Sequence, residues 1–539
     1  MMKTTMKQYS FASQLKSLAV VFGIALTFSS CAKEEVAQNP TNKEGDNDKN
    51  LTTFVAGDEA KTRTSLNYNS GDFYWEAGDY IYVKDDNGVL RKSTNAPTSK
   101  VASFKYKVPG RFGASASYKV YYLGKNSNGS RVTISATQSQ SKPNNTEHFG
   151  TAGDYGTATA TKVSGKQQFK FELAHQPAYL VFQPYTSNTI LQRCYLTKVE
   201  VTSDNDIAET YTVNTSTGAL TGSAGGKKIV LTTKGGSNPN GFPLSNRSAS
   251  VSTNGAYMVI KPGTHTLRVR YWVKDVASNV EGAITKTLPA TAYASNTYYD
   301  MTANLNVNKD YDGDHYYMWD AQQQYWYGYE WTKHLPGNTG QPTLELKSSP
   351  NYPQSNTDPR YYNEYNPAYY YISFPATHTS CKNLPNANEM SWYAMYGDPR
   401  WDADELWTTM GHLYKGGMWF KKKSVLQAEH HYNTEKSADG KTDLRETWKN
   451  YSNKRSSINS GVPSAADAGN YFYLPALGHY SSGELFFVGE FGDYWSSTAL
   501  RRVLDDVGDT AYSLFFTSSE VSVTTISSRN QGYRVGGFE

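Results

Sequence analysis

The chain has 539 residues, enough for three or four domains, so a single small module is excluded. Its 53 Lys and Arg against 49 Asp and Glu leave a net charge of only +4, spread along the chain, which offers no broad basic footprint for nucleic acid. With 11 Trp, 43 Tyr and 21 Phe it does not have a disordered composition, and its wealth of Tyr, Thr, Val, Ser and Gly predicts a mainly β protein.

In chain order, Lys3, Lys7 and Lys16 precede an apolar run from Leu18 to Phe28, followed by Ser29, Ser30 and Cys31. A basic start, a short apolar middle and small residues before a processing point make residues 1–30 an export signal. The run is too short to span a bilayer as a mature helix. Residues 31–50 lack any sizeable core-forming run and are predicted to be a polar tether. Cys31, directly after two small residues, resembles the lipobox cysteine of bacterial lipoproteins, which is acylated and becomes the first residue. Phe28 departs from that pattern, where Leu is usual. Ala32, Lys33, Glu34 and Glu35 resemble the acidic signal that sends lipoproteins of Bacteroidetes-type bacteria to the outer face of the outer membrane. The resemblance implies a lipid anchor at Cys31, with several acyl chains each contributing about 0.8 kcal/mol per buried methylene. Cys194 and Cys381 then remain, too few for a disulfide scaffold or a four-ligand zinc site, so no metal or cofactor is expected.

From Leu51 to about Val307, short alternating runs are separated by Gly, Asn, Ser and Asp turns. Phe169, Phe171 and Leu173 fall on one face of a strand, and Leu267, Val269, Tyr271 and Val273 on one face of another, with Arg268 and Arg270 opposite. This is the pattern of two-layer β-sandwiches. Trp75 and Val83 are predicted core, Gly78 and Asp79 a turn, and His175 a hydrogen-bonded structural histidine. Several landmarks resemble the fimbrillin family of Bacteroidetes pili: Thr62 Arg63 Thr64, then Trp75 to Val83 with its Gly78 Asp79 pair, Gln138 and Gln140, Phe171 to Ala178, Leu196 to Val201, and Asn296 to Tyr299 leading into Leu305 and Val307. The resemblance implies two successive transthyretin-like β-sandwich domains, over 51–185 and 186–308, with a boundary near Pro184 to Asn188. It also implies assembly by strand addition: a protease cuts after an early Arg, a strand leaves, and a strand from another subunit fills the groove. Arg63 is the first candidate for that cut; an ordinary exposed strand residue is the other reading.

After Asn308 the composition shifts to Tyr, Trp and Asp, and a third domain is placed over 309–539. Within it a helix is predicted from Glu389 to Met395 and a turn into a strand from Gly416 to Lys423. The succession Leu474 Pro475 Ala476, Tyr494 Trp495 Ser496 Ser497 and Arg529 to Val535 resembles the bacterial paralogous domains related to C-type lectins, an α+β fold of small sheets, two helices and long loops. The closing Arg is shifted from that pattern. The family's calcium-binding motifs are absent, since Leu384 Pro385 Asn386 lacks the Glu and Trp495 is followed by Ser496. Tyr325, Trp326 and Tyr327 lie in a crowded aromatic stretch and are candidate ligand-binding residues, as an exposed stacking surface or as core.

Catalysis is not expected. Cys381 stands alone where lectin-related oxygenases pair two cysteines, and no Walker loop, H-E-x-x-H or G-x-S-x-G occurs. Asp402, Asp404 and Glu405, like Asp505 and Asp506, are predicted to be solvated acidic surface. Together these readings describe a non-enzymatic cell-surface lipoprotein acting as an accessory or tip fimbrial subunit, an adhesin whose partners are the outer membrane through lipid, other fimbrial subunits and a host, bacterial or glycan target. The alternative is a free glycan-binding lipoprotein for nutrient capture; a glycan-acting enzyme is a third, weaker class.

Overall fold

The computed structural model describes residues 5–10 and 50–539, apart from 58–64, 67, 69–72, 126, 128, 215–218, 307–314, 330–346, 366–372, 410 and 502–508. The described residues are mainly β. In the strand Gln168–Phe171, Phe169 and Phe171 are buried while Lys170 is exposed, the period of two that places alternate side chains on opposite faces. This strand pairs in parallel with Leu51–Ala56, which pairs in turn with Phe104–Pro109. On its other side the sheet runs through Gly156–Lys162, Ser117–Tyr122 and Tyr82–Lys84 to Leu90–Lys92. The two outer strands approach each other through Asn95, whose side chain donates to the Lys105 carbonyl at 2.9 Å and accepts from the Lys107 N–H at 2.7 Å. The sheet therefore curls around a core containing Phe54, Trp75, Ile81, Val83 and Tyr106. Gly78 adopts φ +82 in the turn that follows Trp75. Asp79 closes this turn, accepting from the Glu76 N–H at 2.7 Å and the Tyr122 hydroxyl at 3.0 Å.

The apolar strand at Ala178–Tyr185 does not join that sheet. It pairs in parallel with Thr297–Asn304 and antiparallel with Ala256–Ile260, so the chain leaves the first sheet between His175 and Ala178. The boundary near Pro184 to Asn188 that the sequence suggests puts this strand in the first unit. Its seven successive buried residues explain the difference: the four-stranded sheet is covered on both faces, and a run without alternation does not tell which sheet it serves. On one face lie Val199, Val201, Leu267, Val269 and Tyr271 of the larger sheet, and on the other Phe73 and Phe149, whose rings stand 5.8 and 5.0 Å from that of Tyr179.

Two glutamines of the first half close the Ala256–Ile260 edge of this sheet. The Gln138 amide donates to the Val259 carbonyl at 2.7 Å and accepts from the Val259 N–H at 3.0 Å. Gln140 does the same at the next position outward, donating to the Gly255 carbonyl at 2.9 Å and accepting from the Tyr257 N–H at 2.7 Å. Each amide presents a donor and an acceptor side by side, the arrangement of a neighbouring strand. Replacing Gln138 by Leu keeps the volume and strands a buried N–H and C=O, so the variant is expected to lose about 2–4 kcal/mol in urea unfolding; a loss under about 0.5 kcal/mol would show that the edge does not need the amide.

The larger sheet crosses into the carboxy-terminal third. Its order is Thr137–Ser139, Lys228–Thr232, Tyr195–Ser203, Gly263–Lys274, Glu281–Tyr293, Arg400–Thr409, His412–Lys421 and Tyr471–Pro475. The crossing is a single parallel bridge between Ala283 and Glu405, reinforced where Thr285 donates its N–H and hydroxyl to the Glu405 carboxylate at 3.0 and 2.5 Å. Across the same junction the Arg270 guanidinium bonds the Asp402 carboxylate at 3.1 Å, and Arg268 donates to the Pro463 carbonyl. Asp402 and Glu405 are thus buried at the junction and are not the solvated surface the sequence suggests. A separate sheet, ordered Tyr316–Tyr317, Tyr533–Arg534, Gly492–Arg501, Asp509–Phe516, Glu520–Ser528 and Tyr451–Lys454, joins the first and last strands of this third. The helix Ala387–Tyr396 packs on it. Asn386 and Glu389 form a reciprocal capping box at its start, which fixes a helix two residues earlier than the sequence pattern alone indicates.

Candidate functional site

The four-stranded sheet has one edge closed by side chains and one edge filled by a separate segment. Beside Thr297–Asn304 lies the strand Thr5–Ser10, antiparallel, with Thr5 opposite Thr302 and Ser10 opposite Thr297. Among the described residues the next strand begins at Leu51. An edge strand presents alternate N–H and C=O groups that any added strand can pair, which makes this seat a docking site for extended chain. Behind it, the Asp300 carboxylate accepts from the Tyr68 hydroxyl at 2.9 and 2.8 Å and from the Gln183 amide at 2.7 Å. Burial, and then the Asp300 charge, push the Tyr68 hydroxyl far above its ordinary pKa, so it stays a donor. This knot ties the 297–304 strand to its neighbour at Gln183 and to the turn holding Tyr68, so the floor of the seat is stiff.

Cys31, Arg63, Asp505 and Asp506 lie outside the described residues. The three candidate ligand residues are divided. Tyr325 is fully buried, its ring stacked on Tyr480 at 4.7 Å, and Trp326 is buried beside it, while Tyr327 is 50% exposed. They do not form one stacking surface, because Tyr325 and Trp326 serve the core of the carboxy-terminal third. Cys194 and Cys381 are both buried, and burial pushes each thiol up to about 12, which keeps them protonated and poor nucleophiles. His175 bonds Asp154 at 3.0 Å in the core, with its ring stacked on Phe73 at 4.2 Å. His430 takes a left-handed φ of +58 and His431 stacks on Tyr396 at 4.1 Å. Among the described residues no group of three His, Cys, Asp or Glu side chains is placed to hold a metal ion, and no helix is long and apolar enough to cross a membrane.

Sequence reasoning missed a second recess. Tyr361, Tyr362 and Tyr365 line one part of a cleft of about 360 Å³ in the carboxy-terminal third, and Asp358, Asn356 and Gln322 another. The signal was present in the run Tyr361 Tyr362 Asn363 Glu364 Tyr365, which interleaves rings with an amide and a carboxylate.

No family model matches this chain, and no curated protein matches it. Solved structures that resemble it include a candidate cell adhesion protein from Bacteroides uniformis, 19% identical, covering 47% of this chain and 93% of its own length with a TM-score of 0.29. A second such protein, from Bacteroides ovatus, is 12% identical over 47% of this chain and 92% of its own, also at 0.29. The fimbrial anchor protein Mfa2 from Porphyromonas gingivalis is 12% identical over 44% of this chain and 83% of its own, at 0.22.

Proposed function

We propose that the chain is a non-enzymatic surface lipoprotein of the fimbrillin kind, an accessory or tip subunit that joins a fimbrium by strand addition and holds out its carboxy-terminal third as an adhesive head. The observation that carries this reading is the asymmetry of the four-stranded sheet: Gln138 and Gln140 close one edge from within, while the other is completed by Thr5–Ser10, a segment inside the stretch assigned to the export signal. Removal of that signal before an acylated Cys31 takes away the strand and leaves the 297–304 edge for a strand of another subunit. A further cut at Arg63 would free more of the early chain. The sequence landmarks support transthyretin-like sandwiches for the first two units. A lectin-like head is supported by the pairing of its first and last strands, its helix Ala387–Tyr396 and its long connections. A head of this size joined through the larger sheet leaves little room for a further subunit beside it, which favours a tip or other ancillary position on an outer-membrane-tethered fimbrium.

Hydrogen exchange on a chain that begins at residue 31, with Cys31→Ser to prevent acylation, tests the seat. The edge amides of residues 297–304 are expected to exchange fast in the isolated chain and to gain protection when fimbrial subunits from the same cells are added. Protection already complete without a partner would remove the strand-addition reading.

A further inference from the structure

We infer that the tyrosine cleft of the carboxy-terminal third is a binding site for a neutral saccharide, with Tyr365 as its stacking face and Asp358, Asn356 and Gln322 as its hydroxyl partners. This deepens the proposed reading of that region as an adhesive head and rests on it, but concerns residues far in sequence from the 297–304 edge.

The walls are rigid. Tyr361 and Tyr362 stack on each other, with ring centroids 4.4 Å apart and planes 29° from parallel. Tyr365 is 60% exposed, yet its backbone is pinned: its N–H donates to the Asn363 side chain at 2.9 Å, and the buried Arg529 guanidinium bonds the carbonyls of Asn363 and Tyr365. Its ring leans edge-on against Phe374, with centroids 5.2 Å apart. An exposed aromatic face held in this way can pack against the C–H face of a sugar ring without first being ordered.

The polar side is equally set. Arg360 fixes the Asp358 carboxylate, with Nε at 3.0 Å and Nη2 at 2.6 Å. Although burial opposes ionisation there, these bonds hold Asp358 below the usual carboxylate range, so it is an acceptor at neutral pH. His378 donates from Nδ1 to the Asp320 carbonyl at 2.6 Å, which fixes its ring at the cleft wall. The side-chain amides of Gln322 and Asn356, both exposed, make no bond to another described residue. They supply the donors that the carboxylate lacks.

The mix of donors and acceptors decides between a sugar and a cation. Rings with carboxylates can also hold an ammonium group. Here Arg360 neutralises Asp358 and Asp509 pairs with Arg529, while Glu364 adds a further carboxylate to the lining. A cation would use the rings and carboxylates and leave the Gln322 and Asn356 amides idle. A neutral ligand rich in hydroxyls meets matched donors and acceptors, and the volume suits one or two sugar rings.

The test is saturation-transfer NMR and calorimetry on the full chain. The probes are glucose, galactose, mannose, N-acetylglucosamine and their common disaccharides, with choline chloride as the cationic control. At least one neutral sugar is expected to bind with a Kd of about 1 mM or tighter. Tyr365→Ala, and separately Gln322→Ala combined with Asn356→Ala, should each weaken it about tenfold with unchanged melting, while Tyr327→Ala leaves it intact. Binding of choline in place of sugar, no binding at all, or sugar binding that survives both variants would overturn the assignment. The edge exchange at residues 297–304 is unaffected by these variants, so failure here is distinct from failure of the strand-addition reading.

Discussion

Arg529→Met is expected to cost the carboxy-terminal third about 3–5 kcal/mol. Arg529 has no exposed surface, although it carries a full charge. Its Nη2 pairs with Asp509 at 2.7 Å, and its Nη1 donates to the Asn363 and Tyr365 carbonyls at 2.5 and 3.3 Å. The rings of Trp319, Tyr362 and Phe374 surround it, with centroids 5.2–5.9 Å away. Burial draws its pKa down and the Asp509 charge opposes that, so it stays ionised. Methionine fills much of the space but leaves a carboxylate and two carbonyls without a donor. Lysine should not rescue the variant, because a compact ammonium cannot reach in three directions from one plane. Urea unfolding checks both substitutions. A loss below about 1 kcal/mol for Arg529→Met would mean that the guanidinium is a passenger in this core.

The second large effect lies at the junction between the sandwich and the head. Arg270→Leu removes the cation that bonds Asp402 and stands 3.9 Å from Glu405, and is expected to cost about 3–5 kcal/mol in the transition that releases the head. The same cluster makes the junction sensitive to pH. Burial pushes the Glu405 carboxyl up to about 7, the Asp402 charge adds to this, and Arg270 opposes it. A carboxyl raised in the folded state keeps its proton there while the unfolded chain, near 4.5, has lost it. Stability is therefore full below about pH 4.5 for this group and falls as pH rises towards 7, with a slope approaching 1.4 kcal/mol per unit. Lys286, on the neighbouring strand and itself held below its ordinary value by burial, faces the same cluster, as do Arg268 and Asp404. Unfolding followed from pH 5 to pH 8 should show this decline, and Glu405→Gln should flatten it. A chain whose stability is level across that window, or whose slope persists in Glu405→Gln, would place the titration elsewhere.

The parts legible in the sequence were those set by local periodicity. Phe169 and Phe171 line one face, as do Leu267, Val269, Tyr271 and Val273, because a strand alternates its side chains whatever it packs against, and Leu173 joins the same core just beyond the strand's end. Trp75, Val83 and the turn at Gly78 were equally readable, since a large apolar ring and a left-handed glycine have few other places to go. The pairing of Gln138 with Gln140 could be noticed but not explained, because its meaning lies in the backbone of Ala256–Ile260, more than a hundred residues away.

What the sequence determined by itself, then, was a β-rich chain with strand faces, turns and a short helix. The tertiary structure alone decided which sheet took Ala178–Tyr185, that Arg270 would bury Asp402 and Glu405, and that Tyr325 and Trp326 would turn inward while Tyr365 stayed out. The physical reason is common to all three. An all-apolar strand, a charge and an amphipathic ring each have two low-energy environments, and only the partner brought up by the rest of the chain selects between them.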